Sequence, residues 1–103
     1  MTMRGKERAE LRAEAHHLRA TVHVGHHGIT ATLLQSLDEA LAARELVKVQ
    51  VERNAPQPVK ETAGELATQV GAEVIQVIGR KTTLYRHNPE LHRKADSPPA
   101  WRE

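Results

Sequence analysis

The residues of this chain best placed to do chemistry sit together in Gly25-His26-His27-Gly28. Two glycines three apart free the backbone to turn tightly and to let a partner come close. The two imidazoles between them can move a proton or ligate a metal. The tetrapeptide follows a short apolar strand pattern, Thr21–Val24, and leads into a helical pattern at Ile29-Thr30. A helix that opens there presents unpaired N–H groups and a positive dipole end, and phosphate is the usual occupant of such a place. The same spacing also serves a plain strand-to-helix turn, so its meaning depends on the rest of the chain.

The motifs of several enzyme classes are missing. Gly25–Gly28 lacks the further glycine and the Gly-Lys-Ser/Thr of a Walker loop. No Gly-x-Ser-x-Gly elbow occurs, and no nucleophile is paired with a base. The carboxylates fall mostly on exposed helix faces, so no catalytic residue and no cofactor is expected. Cysteine is absent, which removes disulfides and cysteine metal sites and fits a reducing cytoplasm. Five of the seven histidines (His16, His17, His23, His26 and His27) fall within twelve positions. Imidazoles bind zinc or nickel, and a histidine-rich metal-binding protein is one alternative. A closed site needs about four fixed ligands, however, and neighbouring helical histidines diverge. No dedicated metal site is therefore expected.

Charge points toward a polyanion. The 15 Lys and Arg against 13 Asp and Glu leave a formal charge of only +2. They are segregated, basic at both ends and acidic in the middle, which can give a nearly neutral protein one positive face. The acidic middle offers another alternative, a protein–protein adaptor. With one tyrosine, one tryptophan and no phenylalanine, stacking platforms of the RNP type are excluded. A binder of this composition must use phosphates, sugars and shape. The candidate surface is the Gly25–Gly28 loop with Thr30 beside it, the helical band Arg8, Arg12, His16 and Arg19, and the turn residues Arg80 and Lys81.

These side chains need a frame. A chain of 103 residues forms one domain. Leu11, Ala15 and Leu18 recur at helical spacing and predict a first helix from about Lys6 to Leu18. Thr21–Val24 is a short strand. Thr30 caps a second helix that runs to about Ala43, burying Leu33, Leu34, Leu37, Ala40 and Leu41, with Asp38 on its solvated side. Leu46–Glu52 alternates, with Val47, Val49 and Val51 to one side and Lys48, Gln50 and Glu52 to the other. Pro56 and Pro58 mark a loop. A third helix spans Val59–Val70, with Gly71 as its C-terminal cap and Gly64 either weakening it or marking a close contact. Glu73–Ile78 and Lys81–Arg86 form a hairpin about Gly79-Arg80. The order α-β-α-β-α-β-β implies a compact two-layer α/β sandwich with a four-stranded mixed sheet, its second and third helices on a common face. The seat of the first helix does not follow from its pattern. Residues 1–87 make the domain and 88–103, with Trp101, a charged, disordered tail. Arg4, Lys6 and Arg8 precede no apolar run, so no signal peptide is expected. No stretch approaches the roughly 20 apolar residues of a membrane span.

Several segments resemble the CRM domain. They are His16-His17-Leu18, Val22 to Thr30, Leu37 to Leu41, Glu45 to Val49, Val74 to Arg80, and Leu84-Tyr85-Arg86. The nearest pattern is that of the small, stand-alone bacterial YhbY-type RNA-binding proteins. The resemblance implies a fold similar to the C-terminal domain of translation initiation factor three, with a GxxG loop like that of KH domains, where the backbone clamps single-stranded RNA. It also implies a protein that binds ribosomal RNA in precursors of the large ribosomal subunit; a cytoplasmic monomer is expected. Carried over, Gly25, His26, His27 and Gly28 contact RNA, supported by basic residues of the first helix. One departure stands out: the family commonly has lysine after the first glycine, where this chain has His26. An ordinary histidine is mostly neutral at pH 7, and a nearby phosphate favours its charged form. RNA affinity is therefore expected to depend on pH.

Overall fold

The computed structural model describes residues 5–92. Its elements are α1 (Gly5–Ala15), β1 (Ala20–Val24), α2 (Ala31–Arg44), β2 (Leu46–Val51), α3 (Val59–Val70), β3 (Glu73–Ile78) and β4 (Lys81–Tyr85), then a 3-10 turn over Pro89–His92. This is the order that the sequence pattern predicts. The strands form one mixed sheet in the order β1-β2-β4-β3. The β1–β2 pair is parallel, and β4 runs antiparallel to both β2 and β3.

Successive side chains of a strand face opposite ways, and β2 divides the molecule accordingly. Val47, Val49 and Val51 join Val22, Val24, Leu37, Leu41, Leu66 and Leu84 in the main core, under α2 and α3. Each fully buried aliphatic side chain contributes about 1.5–3 kcal/mol. Leu46, one residue away from Val47, joins Leu11 and Ile75 in a second cluster, with Leu18 and Tyr85 packed against it. The first helix thus sits on the opposite face of the sheet from α2 and α3, packing on β2 and β3. The two-layer sandwich gains a partial third layer, and among the described residues no other helix packs on that sheet face.

The ends of the helices follow local rules, with two exceptions. Thr30 Oγ1 accepts from Leu33 N–H at 3.1 Å and caps α2, as its position predicts. Gly71 closes α3 in the left-handed region with φ 67°. Gly64 has open space where a Cβ would stand, so it marks no close contact and only weakens the helix. The first exception is α1, which stops at Ala15 rather than Leu18. His16 N–H and Leu18 N–H donate to Ala13 and Ala15, three residues back, in a tighter turn. The second is Glu45, a non-glycine residue with φ 67° at the end of α2. Such a conformation costs about 1–2 kcal/mol. The carboxylate of Glu45 is buried, where its Oε2 accepts from Asn88 N–H at 2.9 Å, and its main-chain oxygen accepts from Arg86 N–H.

The segment after β4 makes contacts with α2. Asn88 N–H donates to Glu45 and the Asn88 side chain donates to Ala42 O at 2.6 Å, and a 3-10 turn follows over Pro89–His92. Asp38 is also more than solvated surface: Arg86 Nη1 donates to its Oδ1 at 2.6 Å. The remainder of the expected tail, with Trp101, lies outside the described residues.

Candidate nucleic-acid interface

Parallel β1 and β2 deliver their C-terminal ends to the same edge of the molecule. The antiparallel partners bring the end of β3 and the start of β4 there too, with Gln50 beside Lys81 and Lys81 beside Ile78. Three loops therefore meet: residues 25–28, 52–58 and the turn 79–80. Short backbone bonds join them. Glu52 N–H donates to Val24 O and Val51 N–H to Arg80 O, both at 2.8 Å.

The Gly25–Gly28 loop is a tight turn, closed by Gly28 N–H donating to Gly25 O at 2.9 Å. Its glycines differ. Gly28 has φ +68°, and a Cβ there would lie 2.9 Å from Pro56 Cγ. Both the turn and the packing against the 52–58 loop demand glycine at this position. Gly25 has no positive φ, and a Cβ there would meet nothing within 4 Å. The fold therefore does not itself require glycine at this position. His26 and His27 are exposed, their ring centroids 3.9 Å apart. The hydroxyl oxygen of Thr30 is engaged in capping α2, so its first role is to fix the helix that follows the loop. Beside it, between β1 and α2, lies an open cleft of about 330 Å³ lined in part by Thr21, His23, Thr30, Thr32 and Ser36.

The sheet face that carries α1 adds a second cationic area. His16, Lys48, Gln76, Ile78, Lys81 and Thr83 line a shallow depression of about 120 Å³. Burial, with the charge of Lys81 beside it, holds the Lys48 ammonium below its ordinary range. Ile78 is the exposed large apolar side chain among the described residues, at 55%, and supplies a flat apolar contact next to these cations. Lys48 escaped the sequence reading as a site residue, although its place on the wet face of an alternating strand was legible.

The three predicted patches meet only in part. Arg80 and Lys81 share an end of the sheet with the Gly25–Gly28 loop, and His16 lies beside Lys81. Arg8 does not join them. It sits at the other end of β3, where its guanidinium donates to Glu73 Oε2 at 2.8 Å and to Val74 O. Arg12 is exposed in the last turn of α1, and Arg19 is exposed at the start of β1, a strand length from Gly25. The single band expected from helical spacing fails because His16 and Arg19 lie beyond the end of α1. Tyr85 belongs to the core cluster around Leu11. Burial first, then Glu45, Glu7 and Glu73, raise its phenol above the ordinary range.

Among the described residues no three of His, Asp and Glu come together so as to hold a metal ion. His23 instead faces Glu52, Nδ1 to Oε1 at 3.2 Å. No helix among the described residues is long and apolar enough to cross a membrane.

Known proteins share this plan. The chain matches the family model of the CRS1/YhbY (CRM) domain over residues 3–86. It is 35% identical over 86 residues to YqeI of Bacillus subtilis, named a probable RNA-binding protein, covering 84% of this chain and 90% of that one. It is 39% identical over 84 residues to MJ0652 of Methanocaldococcus jannaschii, also named a probable RNA-binding protein, covering 80% of this chain and 62% of that one. The solution structure of SAV1595 from Staphylococcus aureus, described as a candidate RNA-binding protein, superposes with a TM-score of 0.72 at 33% identity, covering 84% of this chain and 91% of that one. With its three helices, four-stranded mixed sheet and this match over most of its length, the chain belongs to the CRS1/YhbY (CRM) domain family.

Proposed function

We propose that this chain is a non-catalytic RNA-binding protein that grips a single-stranded sugar–phosphate backbone at the Gly25–Gly28 end of its sheet. The observation that carries this reading is Gly25: no positive φ and no packing neighbour require glycine there, and the space where a side chain would stand, beside the exposed His26, is open. An uncrowded glycine beside exposed imidazoles, at the sheet end that also carries Arg80 and Lys81, suits a phosphate chain, as in other GxxG loops. The names of the relatives support RNA as the ligand.

The target we infer is ribosomal RNA within precursors of the large ribosomal subunit, bound by a monomer in the cytoplasm. This finer reading rests on the resemblance of Val22 to Thr30 and Val74 to Arg80 to the YhbY type. Imidazoles gain charge as pH falls through the physiological range. Affinity therefore rises from pH 8 to pH 6, and His26→Lys loses part of that response; binding titrations at the two pH values check this, and equal responses of both proteins contradict it.

Crosslinking in cells, followed by sequencing of the recovered RNA and mapping of the crosslinked peptide, tests the proposal. The expected result is large-subunit ribosomal RNA joined to the peptide that contains Gly25–Gly28. Recovery of no RNA overturns the RNA reading, and recovery of unrelated RNA alone overturns the ribosomal one.

A further inference from the structure

The loop after β2 has a property that the Gly25–Gly28 turn does not explain. Its Pro56 and Pro58 have fixed φ, which stiffens the segment. Between it and the β3–β4 turn lies an open groove of about 450 Å³, with Arg53 on one side and Gly79 and Arg80 on the other. Both arginines are exposed. Among the described residues neither has an acidic partner. The neighbouring carboxylate does not neutralise Arg53, because Glu52 Oε1 is turned to His23 Nδ1 at 3.2 Å and to Gln50 Nε2 at 3.4 Å. Pro56 is shared: it lines the groove and also lies against Gly28. The opposite wall is held by Val51 N–H donating to Arg80 O. The groove and the glycine turn are therefore adjacent parts of one rigid edge.

We propose that this groove is a phosphate subsite for single-stranded RNA. A strand clamped at Gly25–Gly28 continues over Pro56 and places a downstream stretch of its backbone between Arg53 and Arg80. The inference rests on the RNA-binding reading above and extends it to a residue, Arg53, that lies outside the glycine loop. A guanidinium donates two parallel hydrogen bonds to a phosphate, giving geometric selection as well as attraction. The stiff walls reduce the ordering cost of binding. The exposed arginine planes, like the exposed imidazole rings of His26 and His27, are also surfaces on which an unstacked base can lie.

Oligoribonucleotides of different length separate this subsite from the glycine turn. The full chain is titrated by fluorescence anisotropy with single strands of four and ten nucleotides across a range of salt. Wild type is expected to bind both. Arg53→Gln combined with Arg80→Gln retains four-nucleotide binding and loses about tenfold in affinity for the ten-nucleotide strand. Its salt slope falls by about 1.4, at roughly 0.7 for each phosphate that is no longer neutralised. The Arg53→Lys and Arg80→Lys pair regains the slope, and Arg44→Gln, an exposed cation at the far end of α2, leaves both readouts unchanged. Unchanged ten-nucleotide binding and slope in the double glutamine variant overturn the subsite. An equal loss for both lengths also overturns it, because that marks diffuse attraction rather than a place on the strand's path. If wild type binds neither strand, the parent RNA reading is what fails.

Discussion

The two ends of the sheet use arginine in opposite ways. At the end near Glu45, Arg86 donates to Asp38 Oδ1, Asp38 O and Val70 O, tying β4 to both α2 and α3. Arg8 ties α1 to β3 through Glu73 and Val74. These cations are consumed in holding the fold. At the glycine end, Arg53 and Arg80 are exposed and have no acidic partner among the described residues. The glycines show the same division at smaller scale, Gly28 being required by the turn and by Pro56, Gly25 by neither φ nor packing. A formal charge of +2 therefore understates the binding end, since part of the positive charge is neutralised where it builds structure.

Substitutions sharpen this contrast. The largest effect is expected from Gly28→Ala, which must strain a left-handed residue and push Pro56 aside, at a cost of about 2–3 kcal/mol. Gly25→Ala should leave stability within about 0.5 kcal/mol while weakening RNA binding at least tenfold. Urea unfolding and RNA titration of the two variants check the pair, and similar behaviour in both assays breaks the division. Next in size is Arg86→Met, which removes charged hydrogen bonds of a half-buried side chain and should cost about 2 kcal/mol. Arg80→Met should cost almost nothing in the same unfolding assay. Smaller and opposite in sign, Gly64→Ala stabilises α3 by about 1 kcal/mol and leaves RNA binding untouched, because it stands on neither end.

The smallest effect concerns Tyr85. Its folded phenol titrates above 10.0. The folded state therefore keeps a proton that the unfolded state has already lost, and this contribution is present below pH 10 and lost as pH rises through the folded value. Lys48 has the opposite sign: its lowered value makes stability rise as pH climbs toward 10.5. Tyr85→Phe isolates the first term, and its stability should decline less steeply than that of wild type between pH 9 and pH 11. Identical slopes contradict it.

What the sequence made legible was local. The alternation of Leu46–Val51, the Thr30 cap, the Gly71 cap and the β3–β4 turn each follow from a few adjacent residues, and each is present. The seat of α1 was not legible, because its narrow stripe meets Leu46 and Ile75, which come from two strands far along the chain. The early end of α1 redirected His16, so helical spacing misplaced the basic band. Lys48 became visible only through strand register, which sets Lys81 beside Gln50 and Thr83 beside Lys48. Glu45 carries no local signal for a positive-φ cap, since its support comes from Arg86 and Asn88, over forty residues away. Arg53 had a faint one: a cation just before a loop with two prolines, at the end of the strand that follows the glycine turn.

Amide chemical shifts of the labelled protein, followed during titration with a single-stranded ten-nucleotide RNA, test the central claim most directly. The expected result is perturbation concentrated at residues 25–30, 53–58 and 79–81, with Arg8, Asp38 and Arg86 unmoved. Shifts confined to the Arg8 and Arg86 end, or no shift at saturating RNA, contradict it.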